Sequence, residues 1–453
     1  MRTKKEEEAH KLELVNTAST SPCEDIVARI PRKVNIEVEK KRVLPDFNGP
    51  GSLGELYASK KKRTFLLSES YARLAEARED HALAARSYNT ERCGDTLLFG
   101  VPIGEDGTFL NEGDKLHLMS GNFCHDRFCP FCNFRRARKL MAQMLQCLDY
   151  LGDNYKYLFL TLTVPNVPAD QLREKLNCMR PAAKDLLRGK GFREDYRLVK
   201  SIILGYQTSV EVTRNRKTGL YHPHMHIVLV VPKNYAEKGS GDYIPHDRWL
   251  QAWRNVMHDQ SIMQVHIQTL KALEDDFRKP VAEATKYAFK DSDYLIDGNE
   301  ALTDQIVGEL LAQLKGLRFA SYGGVIRQAR AALKLQDVEA ANADLSDGPI
   351  DFRTDLLICM TKWGYGLQSY EELTPIAVMS PDEMAKILSP RLTMSFEDAA
   401  ELRRKANPAF ELLDNDRHLP FIHPFMKSIE KPVRGIVYPL DENLEPINSP
   451  FDR

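Results

Sequence analysis

Apolar and polar positions change period along this chain. Between about residues 155 and 300, short β-branched and aromatic runs alternate with stretches of helical spacing. Tyr157–Val164 (YLFLTLTV) predicts a strand, and Ala169 to about Leu187 a helix. Ser201–Thr213 predicts a long strand, followed by the turn residues Arg214 to Gly219. Tyr221 to Val231 predicts a second strand, paired antiparallel with the first. His246–Met257 predicts a helix, Gln264–Gln268 a strand and Pro280–Phe289 a helix. The order β-α-β-β-α-β-α predicts an α+β fold, a ferredoxin-like antiparallel sheet with helices packed on one face.

The flanks read differently. Ser68–Arg78 is the best helical stretch near the start, after the breaker Asn48-Gly49-Pro50-Gly51. A helix is expected from Phe134 to about Tyr150, with Leu140, Met141, Met144, Leu145 and Leu148 at helical spacing. Residues 301 to about 370 read as helical, interrupted at Ser321-Tyr322-Gly323-Gly324. The last 80 or so are proline-rich and read as extended or unstructured, with short helices such as Phe396–Lys405.

Composition places the chain among soluble globular proteins, at 43% hydrophobic and 28% charged. No apolar run reaches the roughly 18 residues that span a bilayer. Met1 to Glu8 has no apolar signal-peptide core, so a cytoplasmic protein without a membrane partner is expected. The net charge of −1 does not advertise nucleic-acid binding. Any phosphate-binding charge must therefore be local, as in Lys60-Lys61-Lys62-Arg63 or Arg135-Arg136-Ala137-Arg138-Lys139. Cations at a helix start oppose the helix dipole, which a nucleic-acid phosphate would offset. Arg135, Arg136, Arg138 and Lys139 are thus candidate DNA contacts.

Three constellations carry chemistry. The first is Tyr221-His222-Pro223-His224-Met225-His226, running into Ile227–Val231. Residues two apart share a strand face, so His222, His224 and His226 point the same way. Three imidazoles on one face call for a ligated metal, and a mixed nitrogen–oxygen site suits Mn²⁺ or Mg²⁺. Glu211, on the preceding strand, folds back beside His224 or His226 and would add a carboxylate. The third ligand is then Glu211 or His222.

The second is Glu283-Ala-Thr-Lys-Tyr287-Ala-Phe-Lys290. On a helix Glu283 and Tyr287 lie side by side, with Lys290 one turn on. A phenol can act as nucleophile, a carboxylate as general base and a lysine as phosphate holder. The third is Cys124-His125-Asp126-Arg127-Phe128-Cys129-Pro130-Phe131-Cys132. Cys129 and Cys132 form a knuckle suited to tetrahedral Zn²⁺, and Cys124 and Cys93 complete a closed structural site. His125 is a substitute ligand. Trp249 and Trp253, four apart on a helix, could stack unpaired bases, though core packing explains them as well.

Together these segments resemble the rolling-circle replication initiators of small plasmids, within the His-hydrophobe-His (HUH) class of single-strand DNA endonucleases. The likeness rests on Asn122–Cys132 with Arg135-Arg136, Phe159–Thr163, Tyr221–His226, Glu283-x-x-x-Tyr287-x-x-Lys290 and Tyr322–Val325. The likeness covers about residues 91 to 335; with the patterns along the rest of the chain, five parts are expected. Residues 1–90 are a partly helical extension, and 91–152 a zinc-binding subdomain with a basic helix. Residues 153–300 are the nuclease domain, 301–372 a mainly helical part and 373–453 a proline-rich tail.

The resemblance also implies a reaction. A Mg²⁺ or Mn²⁺ ion on His224, His226 and Glu211 polarises the scissile phosphate of a plasmid origin. Tyr287 forms a 5′-phosphotyrosine and frees a 3′-OH that primes synthesis by host polymerase and helicase. Glu283 activates water to end the cycle, and Lys290 positions phosphate or tyrosinate. A transposase or relaxase of the same class shares these motifs. A non-catalytic zinc-dependent DNA-binding regulator is the alternative outside enzymes.

Overall fold

The computed structural model describes residues 47–103, 116–237, 241–270, 278–285, 289–340, 343–347 and 355–380. The chain begins with α1 (Leu53–Arg78), α2 (His81–Glu91), β1 (Thr96–Ile103), β2 (His117–Gly121) and α3 (Pro130–Leu151). Next come β3 (Tyr155–Thr163), α4 (Ala169–Leu186), α5 (Tyr196–Ile202), β4 (Gly205–Arg214) and β5 (Tyr221–Pro232). They are followed by α6 (His246–Met257), β6 (Val265–Leu270), α7 (Arg278–Thr285) and α8 (Glu300–Leu314). The last are β7 (Ala320–Gly323), α9 (Gly324–Ala332), β8 (Asp355–Gly364), β9 (Ser369–Tyr370) and β10 (Thr374–Met379).

The expected α+β sheet is present, in the order β6-β3-β5-β4-β7. Its first four strands follow the ferredoxin-like order, and every neighbouring pair is antiparallel. Helices cover both faces rather than one. β5 is buried along almost its whole length, so its apolar run needs cover above and below. α4 and α6 pack together on one side, while α7 and α3 pack together and α7 crosses β3, β4 and β5. Trp249 and Trp253 are almost fully buried, and the Trp253 indole N–H donates to the Thr163 carbonyl at 2.8 Å. They are core residues rather than a stacking platform.

A second sheet, β10-β8-β1-β2, was not expected. Among the described residues the last helix ends at Ala332, and Asp355–Gly364 is a strand where the pattern read as helical. The run Leu356-Leu357-Ile358-Cys359 fits a buried strand or a buried helix equally well. Its pairing with β1, from Thr96↔Lys362 to Ile103↔Asp355, decides the matter. Thr374–Met379, at the start of the proline-rich tail, pairs with β8. Residues 381–453, including the Phe396–Lys405 helix, and residues 1–46 lie outside the described residues.

The cysteine segment shares its core with the large sheet. One hydrophobic cluster runs from Tyr57 and Tyr71 of α1 through Phe131 and Met141 of α3 to Leu160 and Ile227 of the large sheet. α1 starts at Leu53, earlier than expected, because Ser52 caps it by accepting from the Glu55 N–H at 3.1 Å.

Candidate active site and metal centres

The β4–β5 register sets Glu211 directly opposite His224, and Ser209 opposite His226. Strand alternation brings Glu211, His224 and His226 to one face. Both imidazole Nε2 atoms lie 3.0 Å from Glu211 Oε2. His224 Nδ1 is 3.2 Å from the His222 carbonyl oxygen, which can only accept, so it carries the proton. His226 Nδ1 is 3.1 Å from Thr161 Oγ1, and its ring stacks on Phe159 at 5.5 Å. These partners turn both Nε2 atoms towards one carboxylate oxygen, as outer contacts do for metal-ligating imidazoles. Burial disfavours the ionised Glu211, yet bonds and charge from the two histidines hold its carboxyl well below the usual range. Two nitrogen donors and one charged oxygen, all buried, form a group that could hold a metal ion.

His222 is not part of that group. Its ring stacks on His224 at 5.2 Å, as a shared face requires, but its Nδ1 meets Asn166 Oδ1 at 2.7 Å. The converging carboxylate is Glu211.

α7 brings Glu283 to the same face, with Oε1 3.6 Å from His226 Nε2. Lys290 Nζ lies 4.0 Å from Glu211 Oε1, its side chain 55% exposed. Tyr287 lies outside the described residues. Two groups at this face carried no separate signal in the sequence. Thr161 was visible only as one residue of the strand Tyr157–Val164 and of the segment Phe159–Thr163 that carries the resemblance. Asp293, in the turn after Lys290, has a buried Oδ2 with no hydrogen-bond partner among the described residues. Burial raises the Asp293 carboxyl, against the pull of Lys290.

The four expected cysteines converge. Cys93 Sγ lies 3.5 Å from Cys132 Sγ and 3.6 Å from Cys129 Sγ, and Cys124 Sγ lies 3.7 Å from Cys132 Sγ. A tetrahedron of Zn–S bonds has edges of about 3.8 Å. The knuckle forms because Cys129 caps α3, with Pro130 at the first position and the Cys132 N–H donating to Cys129 Sγ at 3.5 Å. α1 supports it through Thr64 Oγ1, 3.7 Å from Cys129 Sγ. The set fits a closed structural zinc. His125 is not in it; the His125 carbonyl accepts from Arg136 at 2.6 Å instead.

Residues 115–370 match the model of a family described as replication protein (Rep_1). The chain belongs to that family. A "Protein rep" of Lactiplantibacillus plantarum is 31% identical over 298 residues, covering 63% of this chain and 87% of the relative. One from Streptococcus pneumoniae is 30% identical over 258 residues, covering 56% and 73%. One from Staphylococcus aureus is 35% identical over 191 residues, covering 42% and 79%. No solved structure matches the chain. The matched stretch of this replication protein holds Glu211, His224, His226 and three of the four cysteines, while Cys93 precedes it.

The basic run on α3, expected to contact DNA, is engaged within the protein. Arg135 is 1% exposed and bonds Tyr57 Oη at 2.9 Å, the Leu345 carbonyl at 2.8 Å and Asp347 at 2.5 Å. Arg136 is buried against the carbonyls of His125 and Asp126, and the buried Arg138 lies over the Phe134 ring. Lys139 bonds Asp344 at 2.9 Å. Arg135 and Lys139 tie α3 to the 343–347 segment; the sequence could not display that, because those partners lie some 200 positions away. Most of the Lys60–Arg63 cluster is engaged too: Lys61 is fully buried on Asp95, and Arg63 reaches Asp297 and Leu295.

Proposed function

We propose that this replication protein initiates rolling-circle replication of a plasmid by nicking one strand of its origin. The observation that carries the reading is the buried Glu211–His224–His226 trio flanked by Glu283 and Lys290, with Tyr287 between those two in the chain. Glu211, His224 and His226 would hold Mg²⁺ or Mn²⁺. When bound, such an ion polarises a phosphate and offsets the charge that develops on it.

The chain's own groups then divide the work. The Tyr287 phenol loses its proton to a base, for which Glu283, one helical turn before it and beside the trio, is the candidate. The phenolate oxygen attacks phosphorus, and the bond from phosphorus to the 3′ oxygen breaks. The products are a 5′-phosphotyrosine and a 3′-OH able to prime a host polymerase beside a helicase. Lys290 would steady the phosphate from the solvent side. At termination Glu283 would draw a proton from water, and hydrolysis would release the tyrosine. The zinc site holds α1, α3 and β1 together and takes no part in the chemistry.

A denaturing gel of the protein with a single-stranded origin oligonucleotide and Mn²⁺ tests this. A covalent protein–DNA adduct is expected, lost in Tyr287→Phe while DNA binding persists. An adduct of undiminished yield in Tyr287→Phe would overturn the assignment.

A further inference from the structure

The two basic clusters that the sequence offered for phosphate binding are largely engaged inside the protein. A cleft elsewhere carries the positive charge that remains. It has a volume of about 340 Å³ and lies between α4 and the β4–β7 edge of the large sheet. Its floor includes Thr208, Val210 and Met225, which alternate with Ser209, Glu211, His224 and His226 along β4 and β5. The cleft therefore opens on the sheet face opposite the metal trio.

Arg180, Lys184, Arg318 and Arg327 all line it, and no Asp or Glu does. That is a sharp local excess in a chain of net charge −1. Arg318 is neutralised from behind by Asp337 at 2.7 Å and Glu339 at 3.3 Å. Among the described residues Arg327 bonds only a backbone oxygen, the Tyr322 carbonyl at 2.7 Å, and makes no salt bridge. Neither Arg180 nor Lys184 makes a salt bridge or side-chain hydrogen bond among the described residues. Burial pulls the Arg180 guanidinium below its ordinary value, and neighbouring Arg318 adds to that, against the attraction of Glu339. Thr208 and Ser321 hydroxyls, 2.6 Å apart, add hydrogen-bonding groups to the wall.

The rim is rigid. Gly323 lies under the Tyr206 ring, where a Cβ would come within 2.3 Å of its carbons. Tyr322 is clamped from the other side by Arg330, 3.9 Å from the ring centre. A preformed groove with three cations that make no salt bridge among the described residues, hydroxyls and two tyrosines suits a chain of phosphates, which favours a backbone over a single base.

We propose that this cleft grips the phosphate backbone of duplex origin DNA, apart from the nicking face. The inference rests on the reading of the protein as an origin-nicking initiator, but its site and its readout are separate. The cleft-facing side chains of α4 can be changed without touching the metal trio, so Arg180→Gln with Lys184→Gln is the test.

Anisotropy with fluorescent origin duplex should give affinity lower by about tenfold or more, and a log–log salt dependence shallower by about two contacts. Adduct formation on a short single-stranded origin oligonucleotide should be unchanged, as should the Tm. A charge reversal, Lys184→Glu alone, should weaken duplex binding further than Lys184→Gln. Unchanged duplex affinity and salt slope in the double variant would overturn the proposal. Equal loss of duplex binding and of single-strand adduct would overturn it too, because the cleft would then act through the nicking site. If the wild type bound duplex but formed no adduct with any strand, the nicking reading would fail while the salt slopes still judged the cleft.

Discussion

Glu211 lies directly across the β4–β5 ladder from His224, and its Oε2 is shared between the Nε2 atoms of His224 and His226 at 3.0 Å each. A carboxylate oxygen facing two imidazole nitrogens is a stable arrangement only with a proton or a cation among them. Glu211→Gln should therefore weaken Mn²⁺ binding by at least ~100-fold, at or beyond the usual effect of losing an outer partner. Titration calorimetry reads this directly, and wild-type affinity in the variant would show that the trio is not a metal site.

Thr161 supports the site from the neighbouring strand. Its hydroxyl is 3.1 Å from His226 Nδ1, and it is the register partner of His226. Thr161→Val keeps the shape and removes the hydrogen bond. Metal affinity or nicking rate should fall by roughly 10-fold, with a smaller change in Tm than any core truncation. An unaltered rate and affinity would mean that packing against Phe159 alone orients the ring.

The thiols of Cys93, Cys124, Cys129 and Cys132 stand 3.5–3.7 Å apart where measured, at the junction of α1, α3 and β1. Elemental analysis of purified protein should find one zinc per chain. Stripping it, or making Cys132→Ala, should lower Tm and expose apolar surface, since Phe131 and Tyr57 pack around it. A metal-free protein with unchanged Tm would count against the structural role.

Arg135 and Asp347 form a buried pair at 2.5 Å. Burial opposes ionisation of Asp347, but Arg135 and Arg138 hold its carboxyl down to about 2. A carboxyl depressed by folding stabilises the protein above its unfolded value of about 3.9. That contribution is lost as the pH falls towards 2. Asp347→Ala should cost about 3–5 kcal/mol at neutral pH, because it strands a buried guanidinium. It should also flatten the acid limb of the stability curve between about pH 4 and 2. Chemical denaturation across that range is the measurement, and a loss below ~1 kcal/mol would remove Arg135 from the structural frame.

What the sequence determined by itself was local. Period-two runs with turn residues between them gave β3, β4, β5 and β6, and the alternation His224–Met225–His226 gave a one-sided pair of imidazoles. The Cys129-x-x-Cys132 spacing gave a knuckle, since two thiolates three apart at a helix start can share one ion. Even Glu211 was legible, because a hairpin's register follows from its turn.

The tertiary structure decided whatever depends on residues far apart in the chain. β8 became a strand only through β1, some 260 positions away. Arg135 and Lys139 read as a nucleic-acid face until Asp347 and Asp344 arrived to neutralise them. His222 shares the face of its neighbours, yet Asn166, on the loop after β3, takes its free nitrogen. The cleft at Arg180 and Lys184 could not be read at all, because its cations are scattered over α4, α9 and the approach to β7. Sequence spacing fixes which side chains share a face; only the packed fold fixes which charges find a partner and which are left for a ligand.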